Sequence, residues 1–482
     1  MIGVGFIYFT GSFFLSSAVS HGRRAFFYGV SCSLFNIVSH LPDMLPGDRF
    51  EEGVSDVSWS SAYTESKIHF NKSDREGQPK SRETTQITIL ACAGGPDLMR
   101  ITLLILLSIF LFSCNNSKKE LYTFDPRILE EKEICLSEIA DEISYIPLDN
   151  IVPIGLIYDN IEIVKDKIYI SVRDVGILVF NMEGKLIKKI GSIGRGPGEY
   201  TYYFLFTVDD KNENIYVFDR GEIIKVFSKT GRFVRHFPVK EFGSMEKMQY
   251  FNSKLFVLMA SQFSSTENEW IFLDTIGNVI KKQPRKLPQF STNWGNSYPV
   301  YKYDNSLTYY NIFSDTVFSI SSDLIEIPKI TIRQGEYRLP KKNLTLDQML
   351  SKKYLMLSKL TETNHFILIR YSISGSYLAL VNKKDYSAKS INLEYSNSVY
   401  NNGLTNDIDG GCFLLPDHYY SENGNEYLIG IQYPYQIIAR AASEEFKDSN
   451  PIVFSRKMVF EKLAANLKET DNPVLVMVRL KQ

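Results

Sequence analysis

Two stretches of this chain align on each other almost without gaps, and that repetition limits its fold more than anything else in it. DKIYISVRDVGILVFNMEGKLIKKIG (Asp166–Gly191) and ENIYVFDRGEIIKVFSKTGRFVRHFP (Glu213–Pro238) carry the same features in the same order. Each begins with a β-rich run ending in Arg-Asp or Asp-Arg. A second apolar run reaches Phe, a turn closes on Gly (MEG, KTG), and a third run follows. Alternation of Ile, Val, Tyr and Phe with polar residues marks half-buried strands. Weaker copies follow at Ser253–Pro284, with TIG at the turn, then at Asn305–Ile330 and Gly375–Leu393. GGCFLLPDHYY and NEYLIGIQYP supply a last one.

The spacing of the first copies, roughly 40–50 residues, is that of a four-stranded propeller blade. One blade cannot bury both of its faces, so blades must stack around an axis, and closing the ring removes most exposed edges. Six blades need about 270 residues, which the stretch from Glu138 to Ala441 supplies. ISYIPLDN (Ile143–Asn150) lies outside the first repeat and reads as the strand that closes the ring. The run Leu344–Leu360 has helical spacing and reads as an insertion. At the end, RKMVFEKLAANLKE (Arg456–Glu469) places Val459, Phe460, Leu463 and Leu467 on one helical face, and DNPVLVMVRLK (Asp471–Lys481) reads as a final strand. The expected fold is therefore all-β: a six-bladed β-propeller over 134–482 with a short C-terminal helix and strand.

Upstream, Arg100 precedes the apolar run Ile101–Phe112, then Ser113 and Cys114. Twelve apolar residues are too few to span a bilayer of roughly 30 Å but suit a signal-peptide core. LFSC (Leu111–Cys114) resembles a bacterial lipobox, in which the Cys is lipidated and becomes the new N-terminus, although Phe112 is bulkier than the residue usual there. Residues 99–113 are then a lipoprotein signal peptide, Cys114 the lipidation site, and 114–133, opening on NNSKKE, a lipid-anchored linker. Residues 1–98 show no sustained period and are expected to be an irregular upstream extension that is not native to the protein, with Met99 the true start. The alternative for Met99–Cys114 is a buried apolar helix ending in an ordinary Cys.

GSIGRGPGEY (Gly191–Tyr200) followed by NIYVFDR, together with the lipobox and the DNPVLVMVRLK ending, resembles the six-bladed β-propeller lipoproteins of Bacteroidetes, relatives of NHL-repeat propellers. The resemblance covers Cys114–Gln482. It implies the fold and a lipid-anchored place in the cell envelope, facing either the periplasm or the exterior, and no particular activity.

Chemistry is sparse. GSIGRGPGEY lacks the Gly-Lys-Ser/Thr of a phosphate loop, and a strand replaces the helix that a dinucleotide site needs. It reads as a tight crossing between blades, with Arg195 and Glu199 as candidate ligand contacts on a propeller face. Asp174 and Asp219 hold matching places in the first two repeats. They either cap turns or line a central funnel, where a divalent metal such as calcium could bind. His236, His365 and His418 stand apart from one another in the sequence, and no catalytic or metal-binding motif is present. The five cysteines, Cys32, Cys92, Cys114, Cys135 and Cys412, are too few for a disulfide framework; Cys135 and Cys412 either pair or remain thiols. A formal charge of −1 without a basic block gives no reason to expect nucleic acid. The reading is a cell-envelope lipoprotein whose propeller binds or scaffolds an envelope protein, a small molecule or a glycan, with no cofactor. The alternative is a propeller enzyme, a lyase or lactonase-type hydrolase with a metal in the funnel.

Overall fold

The computed structural model describes residues 121–482 apart from 261–265, 289, 291–297 and 397–398, together with the backbone of four strands between residues 13 and 92. Those four, Phe13–Ala18, Arg49–Ser60, Tyr63–Ser73 and Thr85–Cys92, pair in one antiparallel sheet within the region read as an irregular extension. The signal segment and Cys114 lie outside the described residues. The chain divides into two units, Met1–Lys119 and Glu120–Gln482.

The second unit is a six-bladed β-propeller. Blade one is built from Ile157–Val164, Lys167–Val172, Gly176–Asn181 and Leu186–Ile190. Blade two is Phe206–Val208, Ile215–Asp219, Ile223–Phe227 and Phe233–Pro238. Blade three starts at Met245 and ends at Pro284, and blade four runs from Val300 to Ile332. Blade five is Met356–Glu362, Phe366–Ser372, Ser376–Asn382 and Ala388–Leu393. Within these five blades the chain winds outward from the axis in sequence order. Middle strands are sandwiched between neighbouring blades and must be apolar on both faces. Accordingly every residue of Ile215–Asp219 is buried, and so are all but the first of Lys167–Val172.

Blade six is composite. His418–Glu422, Asn425–Gln432 and Val474–Leu480 come from the C-terminal part, and Ala140–Pro147 supplies the outermost strand. Val476 opposes Tyr145, and Val478 opposes Ile143, in an antiparallel register. The expected closing strand therefore does close the ring. The chain ahead of it also docks: Tyr122–Phe124 adds a parallel fifth strand to blade four, and Glu130–Glu131 does so on blade five. The segment read as linker up to residue 133 is thus part of the propeller's rim from Tyr122 onward.

Four short helices occur among the described residues: α1 (Leu346–Leu350), α2 (Pro434–Ala442), α3 (Glu444–Asp448) and α4 (Phe454–Asn466). Two sequence readings need correction here. The helical spacing of Leu344–Leu360 yields only the five residues of α1, capped by Thr345, and Met356–Glu362 is the inner strand of blade five. Burial of Leu355, Leu357 and Leu360 in the core overrides the local helical pattern. The C-terminal helix forms as expected, but Val459 is 51 % exposed; Phe460, Ala464 and the stem of Lys457 form its inner face.

Connectivity sorts the loops by length. Each inner strand joins its neighbour through a short hairpin at one end of the ring, as at Asn252–Ser253 and Asp304–Asn305, where positive φ suits Asn, Asp and Ser. Hydrogen bonds run from hairpin to hairpin there, from Lys211 to Ser253 (3.2 Å) and from the amide of Asn364 to Glu426 (3.0 Å). The opposite end carries the long connections 191–205 and 333–355 and the described residues between Pro284 and Val300 and between Leu393 and His418, together with α2–α4.

Candidate functional site

The site begins with GSIGRGPGEY, the motif that the sequence singles out. Ser192–Ile193 and Glu199–Tyr200 pair as a two-stranded parallel ladder, bending the chain back on itself between blades one and two. Gly194 permits the bend, because a Cβ there would lie 2.1 Å from Glu199 Oε2. Glu199 accepts a hydrogen bond from the Gly196 amide at 2.7 Å, so its carboxylate closes its own turn, while Arg195 is exposed. Tyr200 is buried and its hydroxyl bridges the Ile190 carbonyl and the Ile177 amide.

The two matching aspartates part company in three dimensions. Asp174 sits at a positive φ of 61° on the surface, with Arg173 3.6 Å away. Asp219 is fully buried. Its Oδ1 accepts from the Thr201 amide (2.8 Å), the Thr201 hydroxyl (2.9 Å) and the Tyr202 amide (3.1 Å), and Lys225 lies 3.0 Å from Oδ2. Lys225 in turn donates to the carbonyls of Gly196 and Glu199. Burial pushes the Asp219 carboxyl up, but the amides and the ammonium outweigh it and hold the pKa below the usual range. The pair is a clasp for the crossing loop. None of Asp174, Arg195, Glu199 and Asp219 lies on the wall of the central channel.

A central channel offers a second, larger space than these loop contacts, at the axis of the ring. A cavity of about 720 Å³ follows the axis and is lined from all six blades. Its wall carries Glu162 from blade one, Lys247 and Gln249 from blade three, Lys302 from blade four, Lys359 and Thr361 from blade five, and His418 from blade six. Burial raises the pKa of Glu162 against the pull of Lys302, even though its carboxylate accepts from the Val208 amide (2.9 Å) and from Gln249 (3.3 Å). At the end with the long connections, Asp417 is held by Arg370 (3.0 Å) and Lys359 (3.7 Å). Toward the hairpin end, buried Glu362 pairs with Lys383 (2.8 Å) and Lys329 and accepts from Tyr301 at 3.0 Å.

Sequence reading missed these wall residues. Their signal is a polar or charged residue on the channel side of each first strand, as in IEIV, KMQYF and SKL. It cannot be used until one knows which strand of each repeat is innermost. Among the described residues no group of three or more His, Cys, Asp or Glu side chains could hold a metal ion. Cys135 and Cys412 are both free thiols, and burial pushes that of Cys412 up to about 12.

Residues 121–479 match the family DUF4934, a domain of unknown function. Among solved structures, a protein from Bacteroides fragilis described as exported is similar over 75 % of this chain and 99 % of its own, at 16 % identity and a TM-score of 0.54. A member of the DUF4221 family from Bacteroides vulgatus is similar over 71 % of this chain and 97 % of its own, at 12 % identity and a TM-score of 0.40. BamB from Moraxella catarrhalis covers 60 % of this chain and 75 % of its own, at 14 % identity and a TM-score of 0.32. The first of these likenesses shows a shared fold. No curated protein matches the sequence.

Proposed function

We propose, from the premise that this chain belongs to the DUF4934 family, that it is a binding module of the bacterial cell envelope, anchored by a lipid on Cys114, that takes a small polar ligand into the central channel. One observation carries the reading: a single cavity of about 720 Å³, lined from all six blades, with the long connections at one end. Pockets of this volume suit small molecules, and binding residues concentrate on loops held by a rigid scaffold. The description of the Bacteroides fragilis protein as exported supports the envelope location.

A thermal-shift screen of polar metabolites and oligosaccharides tests the channel, with Ser358→Trp as a plug. Ser358 lines the cavity and is half-buried, which leaves room for its replacement to reach inward. A ligand at about a hundred times its Kd should stabilise the wild type by ~2.7 kcal/mol. The plugged chain should keep its own melting temperature and lose that shift. Shifts that survive the plug would place the site elsewhere. Labelling cells with a fatty-acid analogue should mark the wild type and not Cys114→Ala; equal labelling of both would remove the anchor.

A further inference from the structure

The outer hairpins of the blades differ around the ring. In blades one to five each joins the third strand to the fourth, at the same end as the inner hairpins. The exposed residues of this turn are polar in the first two blades, Glu183 and Lys185 in one and Lys229, Thr230 and Arg232 in the other. In blades three to five the same turn exposes a large apolar side chain: Ile276 (59 %), Ile325 (57 %) and Tyr386 (44 %). A single exposed Ile needs no explanation. Three such residues at equivalent turns of successive blades mark one sector of the ring.

The chain enters the ring in that sector. Leu121, itself exposed, precedes Tyr122, whose ring stacks on Tyr386 with centroids 4.6 Å apart. The Tyr386 turn belongs to the hairpin end, because the Lys383 amide within it donates to the His365 carbonyl of the inner hairpin at 2.8 Å. From there Tyr122–Phe124 runs parallel to Glu326–Ile332, away from the hairpin end. Cys114 lies seven residues before Leu121, a reach of about 25 Å at full extension. A lipid on Cys114 therefore brings the hairpin end to the bilayer and not the end with the long connections. Asp274, Asp323 and Asp385 stand in the same turns, so apolar side chains rather than attraction to anionic headgroups must make the contact. We propose that the outer hairpins of blades three to five, with Leu121, rest on the surface of a phospholipid bilayer, where Ile276, Ile325 and Tyr386 enter the boundary between headgroups and acyl chains. Tyr suits that depth because its ring is apolar and its hydroxyl stays wet. The proposal rests on the lipid anchor read above and adds the surface that orients the ring, with the long connections on the aqueous side.

Photolabelling of the lipidated chain in vesicles of phosphatidylcholine and phosphatidylethanolamine decides it. The probe is a phospholipid with a diazirine in its acyl chain, and labelled peptides are mapped by mass spectrometry. Label should collect on the peptides holding Leu121, Ile276, Ile325 and Tyr386, about five-fold or more above those holding Ile151 and Ile452, which are more exposed but belong to the end with the long connections. Ile276→Ser with Ile325→Ser should cut this labelling about three-fold or more while the melting temperature holds, since both side chains are more than half exposed. Label spread evenly around the ring, or gathered on Ile151 and Ile452, would overturn the proposal. Labelling that the paired Ser variant leaves unchanged would overturn it as well. The Cys114→Ala chain, given the same vesicles in excess, should show the same pattern at lower yield and so separates the two readings. Absence of fatty-acid label on the wild type with this pattern kept would remove the anchor and uphold the surface; loss of the pattern in a chain that carries the lipid would remove the surface.

Discussion

Blades one to three and blades four to six solve the same edge problem in different ways. The outer strands of the first three add no further strand: Leu186–Ile190, Phe233–Pro238 and Val279–Pro284 each end their sheet. At the third position of each stands a cation, Lys188, Arg235 or Lys281, and each donates to a turn carbonyl of the next blade: Lys229, Thr275 (2.7 Å) and Leu324 (2.6 Å). A second basic residue follows in every case, Lys189, His236 or Lys282. Charge on an open edge discourages pairing with another chain, and here the same cations also tie neighbouring blades together. In the other half the N-terminal chain does this work. Tyr122–Phe124 and Glu130–Glu131 cover blades four and five, and Ala140–Pro147 completes blade six. Freed from edge duty, the third position of blade four is the uncharged Pro328, and Glu326 at the start of that strand accepts from Trp270 at 2.8 Å and pairs with Lys286. The lesson is that repetition persists where each blade must protect itself and fades where a strap protects it.

The comparison can be broken most severely at the strap. Phe124 is fully buried in the core of blades three to five, so Phe124→Ala should destabilise the chain by about 3–5 kcal/mol in urea titration. A loss below ~1 kcal/mol would mean that the strap merely rests on the rim. In the open half, Arg235→Met removes one clasp and should cost about 1.5–3 kcal/mol, the range for hydrogen bonds to charged groups. An unchanged urea midpoint would make these cations solubilising residues only.

Acid titration separates the halves by sign. Asp219, in the open half, has a lowered pKa, so its contribution to stability is present above the ordinary value near 3.9 and is lost as pH falls through the folded value. Asp409 is 1 % exposed and is bonded by Tyr145 (2.8 Å) and the Gly411 amide (2.8 Å), yet burial outweighs these bonds and raises its pKa. Its contribution is complete below the ordinary value and declines as pH rises through the folded one. Asp219→Asn should therefore flatten the acid limb of the stability profile, and Asp409→Asn the limb above it; the same change from both would refute the contrast. The smallest effect belongs to the exposed counterpart of Asp219. Asp174→Asn should alter stability by no more than ~0.5 kcal/mol, since Asn also tolerates positive φ.

Much of the architecture was legible beforehand, and the limits follow the same division. The first two repeats are plain because two-face burial demands apolar middle strands and a Gly turn. Blade five was read only from Gly375, since its inner strand, bulged at Ser358 and carrying Lys359, no longer alternates. The docking of Tyr122–Phe124 left no sequence signal, because three residues are too few for a period to show. Asp174 and Asp219 matched in sequence, but only the crossing loop that folds over Asp219 distinguishes them. The wall residues Lys247, Lys302 and Lys359 are unremarkable lysines until the ring sets them around one axis.

By itself the sequence determined the strand content, the repeat, the number of blades and the strand that closes the ring. These follow from local alternation and from the need of every blade to bury two faces. Only the tertiary structure decided which strand is innermost, which end gathers the long connections, and which charges meet in the channel. Those outcomes come from contacts between residues far apart in the chain, such as Glu162 with Gln249 or Lys359 with Asp417, and no local pattern encodes them.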